Sequence, residues 1–243
     1  MLLTVTEMVL VLAGLVLGVV KTGFGGGVGV VVAPILALVM PAKESLGVLL
    51  PLILIVDAVS AYYYRHNRLT EILKPLVPGA VVGLLLGWFL LGIVPEAVFR
   101  KLLGGLACAF VALQPFTSRF TMFSGRGRLE PFLAGALLGC VSIMTHAGGM
   151  ILMMYLLPRG LSGQAFVATA VTVGAILNAI KAGPYVSLGL VNVDTLSMGL
   201  WMIPSAAVGM VLGVLLNRRL PRVWFHRAIL TLVLIVGLRL VLT

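Results

Sequence analysis

Ten apolar runs separated by short polar loops constrain what this chain can fold into. They cover 8–20, 27–40, 45–64, 76–94 and 99–116 in the first half, and 131–144, 148–158, 162–182, 198–217 and 224–243 in the second. Runs of this kind read as bilayer helices, because membrane barrels alternate apolar and polar residues in strands of about ten. Composition removes the soluble alternative. The chain is 61% hydrophobic and 10% charged, against about 45–50% and about 25% in soluble domains. A 243-residue core cannot hide that much apolar surface. The expected fold is all-α: a polytopic helical membrane protein.

A helix crossing ~30 Å of hydrocarbon needs about 20 residues. Runs 45–64, 76–94, 162–182, 198–217 and 224–243 suffice. Runs 8–20, 27–40, 131–144 and 148–158 are short, and glycine-rich sequence joins each short pair. Re-entrant hairpins and tilted, glycine-interrupted spans both fit that pattern.

The halves repeat. Leu12-Ala13-Gly14 and Gly18 match Leu133-Ala134-Gly135 and Gly139, and Gly26-Gly27 matches Gly148-Gly149. Asp57-Ala58 matches Asn178-Ala179; Pro78, Gly83 and Gly87 match Pro204, Gly209 and Gly213; Pro95 and Phe99 match Pro221 and Phe225. The order holds while the offset drifts from 121 to 126. The chain therefore divides into a first repeat, 1–118, a cytoplasmic linker, 119–130, and a second repeat, 131–243.

Charge sets the orientation. The net charge of +10 falls in loops between apolar runs, which points to topology and not to a nucleic-acid partner. With both termini outside, the inner loops hold Arg65, Arg68, Lys74, Arg119, Arg126, Arg128, Arg159, Arg218, Arg219, Arg222 and Arg227 against Glu71 and Glu130. The outer side holds Lys43, Arg100, Lys101, Lys181 and Arg239 against Glu7, Glu44, Glu96 and Asp194. Each half makes an odd number of crossings, so the repeats are inverted, the architecture of many secondary transporters. No basic residue precedes the first apolar run, so the N-terminus reads as mature membrane sequence. Cys108 and Cys140 have no pairing or metal-ligand spacing.

Three groups of residues could carry chemistry. The first is Lys21-Thr22-Gly23-Phe24-Gly25-Gly26-Gly27-Val28-Gly29. Its glycines leave amides uncovered where a helix begins, and such an end attracts oxyanions. The spaced pairs Gly14/Gly18, Gly83/Gly87, Gly135/Gly139 and Gly209/Gly213 read instead as helix packing. Lys21 either adds charge to the site or snorkels at the inner surface. The second group is Ser142, Thr145, His146, Ala147, Gly148 and Gly149, the repeat mate of the first. Its hydroxyls could donate to an anion, and its histidine could donate or titrate. The third is Asp57 with Ser60, and Asn178 with Lys181. An ionisable residue within a span is functional by default because its burial is costly. Asp57 could pair with Lys21 or take a proton, Asn178 could be helix glue, and Lys181 could snorkel.

The Gly-Phe-Gly-Gly-Gly-Val-Gly run at 23–29 with Pro34, its second copy around His146-Ala147-Gly148-Gly149, and the two-fold repeat together resemble the sulfite exporter TauE/SafE family along essentially the whole chain. The resemblance implies transport of sulfur-containing anions such as sulfite, thiosulfate and sulfoacetate, with the two glycine motifs flanking the path. The second copy departs from the pattern at Ala147, and Tyr155 or Leu156 stands where Pro34 would match.

The expected function is a secondary transporter in the cytoplasmic (inner) membrane. It would move a small anion, a sulfur oxyanion or organosulfonate, by alternating access, with possible proton coupling through Asp57 or His146. An anion channel is the nearest alternative. A membrane-embedded enzyme would have to use Ser142, His146 and Asp57, and neither a phosphate loop nor a nucleophile elbow is present. No catalytic residue, metal or cofactor is expected. The partners are the anion and the bilayer, and the glycine faces permit a homodimer.

Overall fold

The computed structural model describes residues 4–24, 28–113, 127, 129–219 and 222–242, without the side chains at 21–24, 28–29, 214, 217–219 and 222–226. They form helices α1 (Val5–Phe24), α2 (Val28–Leu36), α3 (Ala42–Tyr63), α4 (Thr70–Ile93), α5 (Glu96–Leu113), α6 (Glu130–Thr145), α7 (Gly148–Leu156), α8 (Gly163–Ser187), α9 (Val193–Arg219) and α10 (Arg222–Leu242). No strand occurs among the described residues. Helices α3, α4, α8 and α9 are long and apolar enough to cross a membrane. Their outward faces carry bare apolar side chains, such as Phe89 on α4 and Trp201 on α9, as lipid contact requires. The chain is an all-α polytopic membrane protein.

Each apolar run of the sequence becomes one helix, with one informative extension. α1 continues through Lys21, Thr22 and Gly23 to Phe24, beyond the apolar run 8–20. The bilayer selects apolar side chains, but helical backbone bonding continues through polar ones.

The helices sort into two compact units. One holds α1, α2, the start of α3 to Leu52, α5, α9 and α10; the other holds α3 from Ile53, α4, α6, α7 and α8. Neither unit coincides with a sequence half, 1–118 or 131–243. Most of the linker 119–130 lies outside the described residues, and Glu130 opens α6. The physical reason for the exchange is glycine packing. α1 packs on α9 from the other half, and α6 packs on α4.

These two interfaces repeat contact by contact. A Cβ on Gly14 would strike the Met202 carbonyl, and one on Gly135 would strike that of Leu76. One on Gly18 would strike the Ala206 carbonyl and the Met210 amide; one on Gly139 would strike the Ala80 carbonyl and the Leu84 amide. In the other direction, Gly209 meets the Leu15 carbonyl and Gly83 meets that of Ala136. Every pair corresponds at the sequence offsets of 121 and 126. Backbones this close exchange dispersion and Cα–H···O contacts that larger residues would prevent.

Local bonds set the helix ends. Thr4 and Glu7 form a reciprocal box at the start of α1, with Thr4 N donating to Glu7 Oε2 at 2.7 Å and Glu7 N to Thr4 Oγ1 at 3.3 Å. Asn192 and Thr195 do the same for α9. Glu96 of α5 accepts from the Ala42 and Lys43 amides at the head of α3, where a carboxylate also suits the helix dipole.

Candidate functional site

The second short helix pair is a hairpin. α6 and α7 pack on each other and are joined by two residues, His146 and Ala147. At their far ends Arg159, in the 3₁₀ turn after α7, pairs with Glu130 at the start of α6 at 3.1 Å. The Arg159 guanidinium also lies 3.5 Å from the Tyr155 ring centroid. The segment therefore leaves where it entered, the re-entrant alternative of the two. With nine residues, α7 is only about 14 Å long, so its first turn lies at the hairpin tip.

That tip is buried and backbone-strained. His146 caps α6 in the left-handed region, with φ 53° and ψ 15°, a conformation that costs a non-glycine residue of order 1 kcal/mol. Its amide donates to the Ser142 carbonyl at 3.0 Å. Thr145 Oγ1 donates to the Val141 carbonyl at 2.8 Å and accepts from the Ala147 amide at 3.2 Å. The threonine thus braces the turn. Gly148 is required for close approach, since a Cβ there would sit 2.7 Å from Ser142 Cβ. The Gly148 and Gly149 amides head α7 and have no carbonyl four residues back within that helix.

Against this tip lies a polar chain drawn from α3, α6 and α8. Asn178 Nδ2 donates to Asp57 Oδ2 at 2.6 Å, so the bond joins the two members of a repeat-matched pair. Lys181 Nζ donates to Asn178 Oδ1 at 2.7 Å and lies 3.4 Å from His146 Nδ1. On the other side of that ring, Tyr185 Oη lies 3.5 Å from Nε2 and donates to the Ile143 carbonyl at 2.5 Å. The two rings meet edge to face. Lys181 and Tyr185 have 0% exposure, Asp57 6% and His146 8%.

The structure thus joins Asp57, Asn178, Lys181 and His146, with Ser142, Thr145, Ala147, Gly148 and Gly149 at the same hairpin tip. One sequence reading is corrected. Lys181 neither snorkels nor belongs with the outer charges, because it turns inward to Asn178 and His146. Asp57 and His146 do not form a serine relay either. The ring nitrogens face Lys181 and Tyr185, and the carboxylate faces Asn178, whereas a relay sets the ring between serine and carboxylate. Lys21, Thr22 and Gly23 lie in α1 with side chains outside the description, and Gly25, Gly26 and Gly27 lie outside the described residues. The sequence reading missed Tyr185. Its signal was spacing: it stands four residues after Lys181 and seven after Asn178, on one helix face.

A buried ammonium against the His146 ring of the hairpin tip can hold an anion. The family model described as sulfite exporter TauE/SafE matches residues 10–240. No curated protein and no solved structure matches the chain. With nearly its whole length matched, the chain belongs to the sulfite exporter TauE/SafE family.

Proposed function

We infer from family membership that the chain is a membrane transporter of sulfur compounds. We propose that this chain carries a sulfur oxyanion or organosulfonate across the cytoplasmic membrane by alternating access, with both termini outside. The α6–α7 tip and Lys181 hold the anion. The observation that carries this reading is the lysine with no exposed surface beside that tip. Burying an ammonium costs several kcal/mol even when it is hydrogen-bonded. A fold that needed only packing would place an apolar residue there. An arriving anion adds a further partner for the buried cation, together with the first-turn amides at the positive end of α7.

Counterflow in proteoliposomes tests the proposal, with labelled sulfite, thiosulfate, sulfate, sulfoacetate and chloride. The expected result is saturable exchange of one or more sulfur anions and none of chloride. Lys181→Met and Gly148→Leu are each expected to abolish exchange while the protein still inserts. Full exchange in both variants overturns the site. Unitary currents without saturation would make the protein a channel.

A further inference from the structure

We propose that the loop between α3 and α4 is a docking surface for the phosphate of an anionic glycerophospholipid, with Arg65 and Arg68 as its cationic contacts and Tyr62 and Tyr63 at headgroup level. Helices α3 and α4 are both long and apolar enough to cross a membrane, so the segment joining them lies where bilayer meets water. Its sequence, Tyr62-Tyr63-Tyr64-Arg65-His66-Asn67-Arg68, sets rings and cations side by side. Tyr62 and Tyr63 are 70% and 76% exposed. Bare rings at the end of a span suit the interface, where the apolar body enters the headgroup layer and the hydroxyl stays wet.

The loop is held by bonds that leave its cations over. Asn67 Nδ2 donates to Gln164 Oε1 at 3.1 Å, and the Leu69 amide donates to Oγ1 of the buried Thr169 at 3.2 Å. Both partners stand on α8. Arg65 Nη1 donates to the Tyr62 carbonyl at 2.9 Å, closing the end of α3, and its guanidinium lies 4.1 Å from the Tyr62 ring centroid. The stacking steadies the plane of the fork, and a guanidinium has five N–H donors to share. Arg65, Arg68 and Lys74 are exposed and form no ion pair among the described residues. From 62 to 75 the sequence sets Glu71 alone against these three cations. A planar guanidinium matches a phosphate with two parallel N–H···O bonds. The positive-inside rule asks for cations in such a loop, but not for an arginine stacked on a bare ring. The chain between α8 and α9, which joins the matching pair of helices, has no Lys or Arg from 182 to 194, so the packing of the helices does not ask for the patch either. A soluble phosphate would need no exposed rings, so the occupant is a lipid headgroup.

Native mass spectrometry tests this on the full chain, released from micelles that hold equimolar dioleoylphosphatidylglycerol and dioleoylphosphatidylcholine. The wild type is expected to retain phosphatidylglycerol at least about fivefold over phosphatidylcholine, the worth of one basic residue at an anionic surface. Arg65→Gln/Arg68→Gln is expected to remove that preference, and Tyr62→Ala/Tyr63→Ala to weaken it. Lys101→Gln, at an exposed cation of α5, is expected to leave it unchanged. Excess glycerol 3-phosphate is expected not to displace the lipid; displacement overturns the lipid as occupant in favour of a soluble phosphate. A wild type without preference overturns the proposal, and so does a preference undiminished in either double variant when folded. Arg68→Gln alone, at a side chain with no hydrogen bond among the described residues, carries the test if the double variants do not fold, with the preference again expected to fall. Absence of sulfur-anion exchange would leave this surface standing.

Discussion

At the α4–α6 interface the carbonyls of Leu76 and Ala80 close on Gly135 and Gly139. At the α1–α9 interface those of Met202 and Ala206 close on Gly14 and Gly18. The two pairs are the same joint built twice. The polar groups of the third and eighth helices are not duplicated in this way. At the offset of 121, Asn178 corresponds to Asp57, but Lys181 corresponds to Ser60 and Tyr185 to Tyr64. Ser60 donates to the Val56 carbonyl of its own helix, and the Tyr64 ring meets the ring of Tyr63. Packing has kept the repeat and chemistry has left it. A close backbone joint tolerates almost no change at its glycines, whereas a buried cation is useful once.

The sharpest way to break the comparison is at the joints. Gly18→Leu and Gly139→Leu each drive a side chain into a facing backbone carbonyl, which a helix cannot move aside. Each is expected to destabilise by about 3 kcal/mol or more, at the upper end of overpacking costs. The readout is loss of the monodisperse peak in detergent chromatography, to the same degree in both variants. A large loss for one and none for the other would show that the joints are not equivalent.

Next in size is Lys181→Met against its repeat mate Ser60→Met. The first is expected to cut sulfur-anion flux at least 100-fold and the second to leave it within about twofold. Because Lys181→Met takes a cation from the neighbourhood of Asp57, Asp57→Asn/Lys181→Met is the control for folding. Removing both charges of a buried pair is often neutral or stabilising, whereas removing one is costly. Equal loss of flux from Ser60→Met would return symmetry to the chemistry.

The sequence made the joints legible and the polar chain only partly so, for a physical reason. Glycines at four-residue spacing, matched in order between halves, report directly on one helix face, so Gly14/Gly18 and Gly135/Gly139 could be assigned to packing without coordinates. Pairing across the halves could not be read, because a glycine face does not name its partner; hence the compact units cut across 1–118 and 131–243. Asp57, Asn178 and Lys181 stood out as polar residues in apolar runs. Their bonds did not, since a lysine near a helix end can point to the surface or inward with the same sequence. The left-handed turn at His146 was hidden for a similar reason. Histidine adopts it only where the surrounding fold holds it there, and the glycines beside it drew attention to the amides instead of the ring.

The middle of the polar chain offers a finer test. Asn178→Ala removes both the donor to Asp57 and the acceptor for Lys181, and leaving buried polar groups unpaired costs about 1–3 kcal/mol. The loss is expected to shrink in Asp57→Asn/Asn178→Ala, where the carboxylate deprived of the Asn178 donor is gone. Thermal unfolding in detergent of the two variants checks the order. Equal losses would mean that Asp57 does not face this position.

The smallest expected effect is at the end of the chain, in Tyr185→Phe against Tyr64→Phe. Removing the Tyr185 hydroxyl leaves the packed ring in place but takes a donor from the Ile143 carbonyl and an acceptor from His146 Nε2. The net worth of such a bond is about 1 kcal/mol. The expected changes are therefore a modest drop in unfolding temperature and a flux reduced severalfold but not abolished. Tyr64→Phe, at the corresponding place in the first repeat, is expected to change neither. The informative quantity is the ratio between stability and flux. If Tyr185→Phe lowers stability and leaves flux untouched, the hydroxyl only holds the hairpin tip against α8. Flux falling more than stability explains would place the hydroxyl in the same working unit as Lys181 and His146.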